Sequence, residues 1–269
     1  MRYDLPTTTL GRTGLTVTRL GVGGAYCKTP DGYRTALDCG VNYLDTARAY
    51  HNGEDERVVG QAIQGRRHEI VLATKTGERD AEGARKDLET SLRLLGTDYL
   101  DIWQIHYLNQ AEEREQVLGP GGAYEAALKA REQGWIRYIG VTGHNWVEVG
   151  RTVATGLFDT VLCWYNLAMR EPEKAVFPHA VEHNVGVVIM SATRMEKLLG
   201  REDTPDLEQF YRYVLGHPAV NMSIMGLRSV ENFERVARAL SERAALRPGE
   251  REMLEEYGAR VRAEKDLFD

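Results

Sequence analysis

Residues 41–60 read VNYLDTARAYHNGEDERVVG, and this stretch decides how the rest of the chain is read. Val41, Tyr43 and Leu44 form a short apolar run with the character of a strand. The run ends on a carboxylate, Asp45, and a phenol follows at Tyr50. Asn52 and Gly53 then supply a turn signal, and Glu54, Asp55 and Glu56 make an acidic start to a helix. A strand that stops at an acid and passes through a loop tyrosine into a helix is one βα unit of an α/β protein.

Working outward, the unit recurs. Further apolar runs lie at Leu20–Gly23, Ile70–Thr74, Tyr99–Ile105, Ile136–Val141, Thr160–Cys163, Val187–Met190 and Met222–Met225. Segments of helical spacing separate them. Leu88, Leu92 and Leu95 stop at Gly96, and Phe233, Val236, Ala237 and Leu240 mark a later helix. Near-continuous apolar strands alternating with amphipathic helices imply a parallel sheet covered by helices. Eight such units predict a closed (β/α)8 TIM barrel. An open doubly wound sheet would want a G-x-G-x-x-G turn, which GVGG at Gly21–Gly24 does not supply. Upstream, TTTLGRTGLTVTRLG predicts an N-terminal β-hairpin turning near Arg12–Gly14. Downstream, Pro248–Lys265 predicts an additional C-terminal helix, packed outside the barrel, with Met253, Leu254 and Tyr257 on one side. Nothing resembling a linker divides the chain, so residues 1–269 are expected to form a single barrel domain.

Composition narrows the function. A net charge of −6, with no Lys/Arg block longer than a pair, argues against nucleic acid or an anionic membrane as the main partner. The N-terminus lacks the apolar core of a signal peptide, and no run approaches the ~20 apolar residues that span a bilayer. A cytoplasmic protein is the expectation. Cys27, Cys39 and Cys163 are scattered without C-x-x-C spacing, which argues against zinc or an iron–sulfur cluster. The absence of H-x-H and H-x-x-H counts against a metal-dependent barrel hydrolase. No metal is expected.

In a barrel all strand C-termini open on one face, so Asp45, Lys75 (in ATKTG) and His106 (in WQIHYL) become neighbours. Tyr50 can fold over them from its loop. Alone, each has an ordinary reading: a turn former, a packing ring, a surface charge, a core histidine. Brought together by three consecutive strands, they make an acid–base site. A phenol is a reluctant acid near neutrality, with a pKa of about 10, and an adjacent ammonium favours its phenolate. Tyr50 can then protonate a carbonyl oxygen as hydride reaches its carbon, while Asp45 holds Lys75 and His106 orients the substrate oxygen.

The hairpin LGRTGLTVTRLGVGG, with NYLDTARAY, ATKTG, DIWQIH, IGVTG, WYNL and IMGLRS–EN, gives the chain a resemblance to the aldo-keto reductase family along essentially its whole length. The resemblance implies a (β/α)8 barrel binding NADP(H), less often NAD(H), and moving hydride between the nicotinamide and a carbonyl or alcohol carbon without metal. Asp45, Tyr50, Lys75 and His106 match the family's catalytic tetrad, Tyr50 being the general acid/base. The cofactor contacts it implies are Gly23, Gly24, Ala25, Asp45, Thr142, Gly143, Met190, Ser191, Gly226, Arg228, Ser229 and Asn232. Arg228 and Ser229 stand where the adenosine 2′-phosphate is gripped, which favours NADP. The chain departs from the pattern at Gly143 and Leu162, where relatives carry side-chain amides for the carboxamide, at Met190, where many carry an aromatic ring, and at Val236, commonly an asparagine. His144 and Asn145 are candidates to replace the missing amide. Tyr26, Tyr50, His51, His106 and Tyr107 are the expected substrate walls, with Trp164 a further candidate. The implied substrate is a small aldehyde, ketone or sugar. The alternative is a cofactor-binding regulatory or sensor protein with little turnover.

Overall fold

A strand that is apolar on both faces has no side to offer water, and the central strands of this chain are of that kind. Val71–Thr76 and Leu100–Ile105 are buried at every position. In the computed structural model, which describes residues 1–264, eight parallel strands close into a barrel. A short antiparallel pair, β1 (Thr7–Thr9) and β2 (Thr16–Thr18), precedes it. The barrel strands are β3 (Leu20–Gly23), β4 (Tyr43–Asp45), β5 (Val71–Thr76), β6 (Leu100–Ile105), β7 (Ile136–Gly143), β8 (Thr160–Trp164), β9 (Gly186–Met190) and β10 (Met222–Gly226). They pair in sequence order, and β10 returns to β3.

The helices are α1 (Pro30–Asp38), α2 (Glu54–Ala62), α3 (Ala81–Leu95), α4 (Ala111–Leu118), α5 (Ala123–Glu132), α6 (Trp146–Val153), α7 (Pro172–Ala175), α8 (Phe177–Glu182), α9 (Leu207–Leu215), α10 (Val230–Glu242) and α11 (Glu250–Glu264). Helix α3 shows why these segments fold as they do. Asp80 caps its N-terminus by accepting from the Gly83 amide, Leu88 and Leu95 are buried, and Gly96 ends it at φ 64°, a left-handed angle glycine adopts without strain. Among the described residues no helix is long and apolar enough to cross a membrane.

Two apolar cores follow from this architecture. The outer one lies between strands and helices. The inner one fills the barrel with Tyr43, Val71, Ile102, Leu162 and Met222, and the hairpin completes it by inserting Leu10, Leu15 and Val17 from below. Arg12 fastens the hairpin, donating to Asp159 Oδ1 and to the Phe158 carbonyl, each at 2.8 Å.

Helix α11 packs outside the barrel as the sequence predicts, although Lys265, its expected last residue, lies outside the described residues. Its buried stripe is Leu254, Tyr257, Gly258 and Val261, a spacing of i, i+3, i+4 and i+7. Met253, expected on that side, is 43% exposed because one residue along a helix turns the side chain by about 100°. The stripe docks on backbone. Tyr257 donates to the Leu198 carbonyl at 2.6 Å, and a Cβ on Gly258 would stand 2.3 Å from the Leu167 carbonyl oxygen.

That contact gives a test with an informative sign. Gly→Ala inside a helix ordinarily adds up to ~1 kcal/mol of stability. At residue 258 the added methyl meets an immovable carbonyl, so Gly258→Ala is expected to destabilise by about 1–3 kcal/mol, read as a lower urea midpoint. A raised midpoint would mean that α11 does not sit against Leu167.

Candidate functional site

Strand register sets the site. Asp45 ends β4 and lies opposite Ala73 of β5, so Lys75, two residues further, points the same way. Lys75 lies opposite Gln104 of β6, and His106 follows two residues beyond. The three side chains therefore step around the C-terminal mouth of the barrel on its inner side. Tyr50 comes to them from the loop after β4.

Lys75 and Asp45 are each 1% exposed. Burying an ammonium is costly unless its donors are met, and Lys75 finds three acceptors: Asp45 Oδ1 at 2.5 Å, the Thr46 carbonyl at 2.6 Å and the Tyr50 hydroxyl at 3.4 Å. Asp45 Oδ2 accepts from Gln104 Nε2 at 2.8 Å. Burial pushes the Asp45 carboxyl up against the pull of Lys75 and Gln104. Burial also works against the charge on Lys75, but Asp45 and Tyr50 outweigh it and raise its affinity for the proton, so Lys75 remains an ammonium. For Tyr50 burial is the largest influence and pushes the phenol above its usual range, while Lys75 opposes that shift without reversing it. This corrects the sequence reading, in which the ammonium alone set the phenol's acidity. Tyr50 is held protonated near neutrality.

His106 is buried, meets Tyr50 edge-on at 5.9 Å between ring centroids and stacks on Tyr107 at 4.0 Å. Burial first, then the charge of Lys75, lowers its pKa to about 2, so it is a neutral imidazole. A second imidazole continues the row: His144 meets Tyr107 edge-on at 4.7 Å and stacks on Trp164 at 3.8 Å. Its pKa is lowered to about 4 by burial and by Arg194, whose guanidinium lies 4.0 Å from the Trp164 ring centroid.

These groups border a cavity of about 520 Å³, within the ~300–1,000 Å³ usual for small-molecule sites. Asp45, Tyr50 and Tyr107 line it, as do the expected Gly23, Gly24, Ala25, Met190, Ser191 and Gly226. It extends to Arg228, Ser229 and Asn232 at the start of α10, where Ser229 Oγ accepts from the Asn232 amide at 3.1 Å. Tyr26 lines it too, its ring beneath the Arg228 guanidinium at 4.0 Å and so close to Gly226 that a Cβ there would come within 2.4 Å of the ring. Lys75 and His106 are not on the wall itself: Lys75 meets the Tyr50 hydroxyl, and His106 packs beside the Tyr50 and Tyr107 rings at its edge.

Other expected residues are placed differently. His51 is exposed and turns to the Ala25 carbonyl, 2.7 Å from its Nε2, so it ties two loops together and is not a cavity wall. Thr142 is buried with its hydroxyl accepting from the Tyr107 amide at 3.2 Å, and Gly143 lies over the Leu108 carbonyl; neither lines the cavity. Leu162 belongs to the inner core and Val236 to the outer one. Asn145 spends its side chain on capping α6.

Sequence reasoning missed Gln104, although its place two residues before His106 on one strand put both on one face. Asp55 was expected only as part of an acidic helix start, which it is, and its second role was missed. Asp55 is buried, accepting from Thr46 Oγ1 at 2.6 Å and from the Tyr33 hydroxyl at 2.8 Å, and it braces the segment whose carbonyl holds Lys75. In the loop after β9 the sequence singles out Ser191 alone, and the residues beyond it carry no signal. There Ser191, Arg194, Met195 and Glu196 all have left-handed φ, as do Ala25, His51, Asn52 and Tyr107 in the other loops at this end of the barrel. Among the described residues Asn184 is the one non-glycine residue of this kind elsewhere, so backbone strain is concentrated around the cavity.

A sequence profile of the aldo/keto reductase family matches residues 28–210 of the chain. The oxidoreductase YqkF of Bacillus subtilis, itself uncharacterized, is 27% identical over 284 aligned residues, covering 87% of this chain and 90% of that protein. The holo form of aldo-keto reductase AKR11C1 from Bacillus halodurans superposes with a TM-score of 0.82 at 26% identity, covering 94% of this chain and 96% of that one. An aldo/keto reductase from Klebsiella pneumoniae in complex with NADP and acetate gives a TM-score of 0.76 at 25% identity, covering 95% and 96%.

The two lowered histidines have a measurable consequence. Unfolded, each imidazole takes up a proton below about pH 6.5; folded, His106 does so only near pH 2 and His144 near pH 4. Their contribution to stability is therefore complete above about pH 6.5 and is lost progressively as pH falls below it. The Cε1 NMR resonances of both are expected to stay still between pH 8 and pH 5. A midpoint of about 6.5 in either would show a solvated ring.

Proposed function

The chain belongs to the aldo/keto reductase family, and we propose that it is an NADP(H)-dependent oxidoreductase that reduces the carbonyl group of small aldehydes, ketones or sugars. The observation that carries this reading is the Tyr50 hydroxyl 3.4 Å from a buried, fully paired Lys75, on the wall of a cavity that runs to the N-terminus of α10. The residues present fit a dinucleotide. Gly23 and Gly24 line the cavity beside the tetrad, and close packing of Gly24 on Asp55 and Thr46 holds that turn of backbone in place. At the far end Arg228 and the first-turn amides of a thirteen-residue helix suit a phosphate. Gly24 and Ala25, with Ser191, would hold the nicotinamide side, and Arg228, Ser229 and Asn232 the adenosine side. When bound, the nicotinamide is the hydride source or acceptor.

The chain's own groups handle the proton. Tyr50 Oη gives its proton to the carbonyl oxygen as negative charge develops there. Lys75, kept charged by Asp45, stabilises the phenolate left behind. His106, neutral, can donate to the same oxygen and fix its direction. The raised proton affinity of Tyr50 suits the reducing direction, in which the phenol must begin protonated. The similarity to the Klebsiella protein in complex with NADP supports the choice of nucleotide.

Tyr50→Phe is expected to retain NADPH binding, followed by nucleotide fluorescence, while carbonyl-dependent NADPH oxidation falls by at least about 100-fold, the scale of a lost general acid. Nucleotide binding by the wild-type protein without turnover across an aldehyde and ketone panel would favour a sensor instead. Arg228→Ala is expected to weaken NADPH about tenfold or more, the scale of a charge-assisted bidentate contact, and to leave NADH nearly unchanged. Equal losses for both nucleotides would remove Arg228 from phosphate recognition. In pH profiles, reduction should hold past the pH of about 10 at which a free phenol ionises, while alcohol oxidation rises with pH, because only the latter needs the phenolate.

A further inference from the structure

His144 shares the cavity with Tyr50, and the reaction just described does not use it. Its backbone amide is pinned to Asn109 Oδ1 at 2.6 Å, and its ring is held by the stack on Trp164 and the edge of Tyr107. Among the described residues neither ring nitrogen makes a hydrogen bond. A neutral imidazole offers one N–H donor and one lone pair, and neither nitrogen is shut away from the cavity, so both are free to exchange water for a polar group of a ligand. The ring is also in line with the chemistry. His106 and His144 flank Tyr107, with ring centroids 4.0 and 4.7 Å from it. A carbonyl oxygen at Tyr50 and His106 would thus place the next two or three atoms of the substrate alongside Tyr107 and towards His144.

Resting on the carbonyl-reductase reading, we propose that His144 is a specificity-determining residue that hydrogen-bonds a hydroxyl group two or three bonds from the carbonyl carbon. The site would then select short hydroxyaldehydes and hydroxyketones over unsubstituted carbonyl compounds of the same length. A hydroxyl suits this place because it is donor and acceptor at once, matching the two nitrogens of an uncharged ring. Orientation comes from the stack: with one face on Trp164, the ring presents its nitrogens edgewise.

The test compares glyceraldehyde with propanal, which share three carbons and differ in their hydroxyls, each measured in wild type and variant. His144→Phe keeps a ring on Trp164 and deletes both nitrogens; His144→Gln deletes the ring and keeps a donor and an acceptor. The ratio of kcat/KM for glyceraldehyde to that for propanal is expected to fall about tenfold in His144→Phe, chiefly through KM for glyceraldehyde, the scale of one lost substrate hydrogen bond. It should recover to within a few-fold in His144→Gln, which also covers the case in which the Phe variant does not fold. A ratio unchanged in both variants would overturn the assignment and leave the reductase reading standing. Turnover of neither aldehyde by the wild-type protein would overturn both.

Discussion

An ammonium and a carboxylate buried together at the mouth of the barrel impose the main constraint on this structure. Neither can be left alone there, since an unpaired buried charge is among the most destabilising things a fold can contain. The surroundings read as answers to that problem. Gln104 occupies the second oxygen of Asp45, the Thr46 carbonyl turns inward to Lys75, and Asp55 with Tyr33 fixes Thr46. What remains of the ammonium's donor capacity faces the Tyr50 hydroxyl. Tyr50, whose hydroxyl faces the cavity, is therefore the last member of a network whose other members are locked.

Much of the fold was legible because its determinants are local and periodic. Each apolar run became a barrel strand, and Asp45, Lys75 and His106 converged because strand ends in a closed parallel barrel have nowhere else to go. What could not be read depends on where side chains turn after the strand stops. His51 and Asn52 adopt left-handed φ, and that one bend sends the His51 ring to the Ala25 carbonyl. Thr142 looks like any hydroxyl at a barrel mouth until Tyr107, bent at φ 54°, brings its amide within reach. The loop after β9 carries no periodic pattern at all, yet it lines the cavity with Arg194, Met195 and Glu196. Gln104 is a different kind of omission, since alternation along one strand already put it beside His106.

The balance at Tyr50 shows why proximity to a cation is not enough to infer an activated phenolate. Desolvation penalises the anion more than Lys75 favours it, because the same burial that strengthens the attraction removes water from the phenolate. Lys75 is also already committed to Asp45, so its field at the phenol is partly cancelled. The resulting group is a poised acid. The two imidazoles are kept neutral by the same desolvation, so hydrogen bonding rather than charge governs what lies next to Tyr107.

The hairpin beneath the barrel has a consequence for traffic. With Leu10, Leu15 and Val17 stoppering one end, the barrel is a cup, and everything that reaches Tyr50 must pass the rim formed by the loops at the other. Two ligands that share one doorway cannot exchange independently. Were one seated deeper than the other, it would have to arrive first and depart last, and three aliphatic side chains on the far side of the molecule would set that order by closing the other way in.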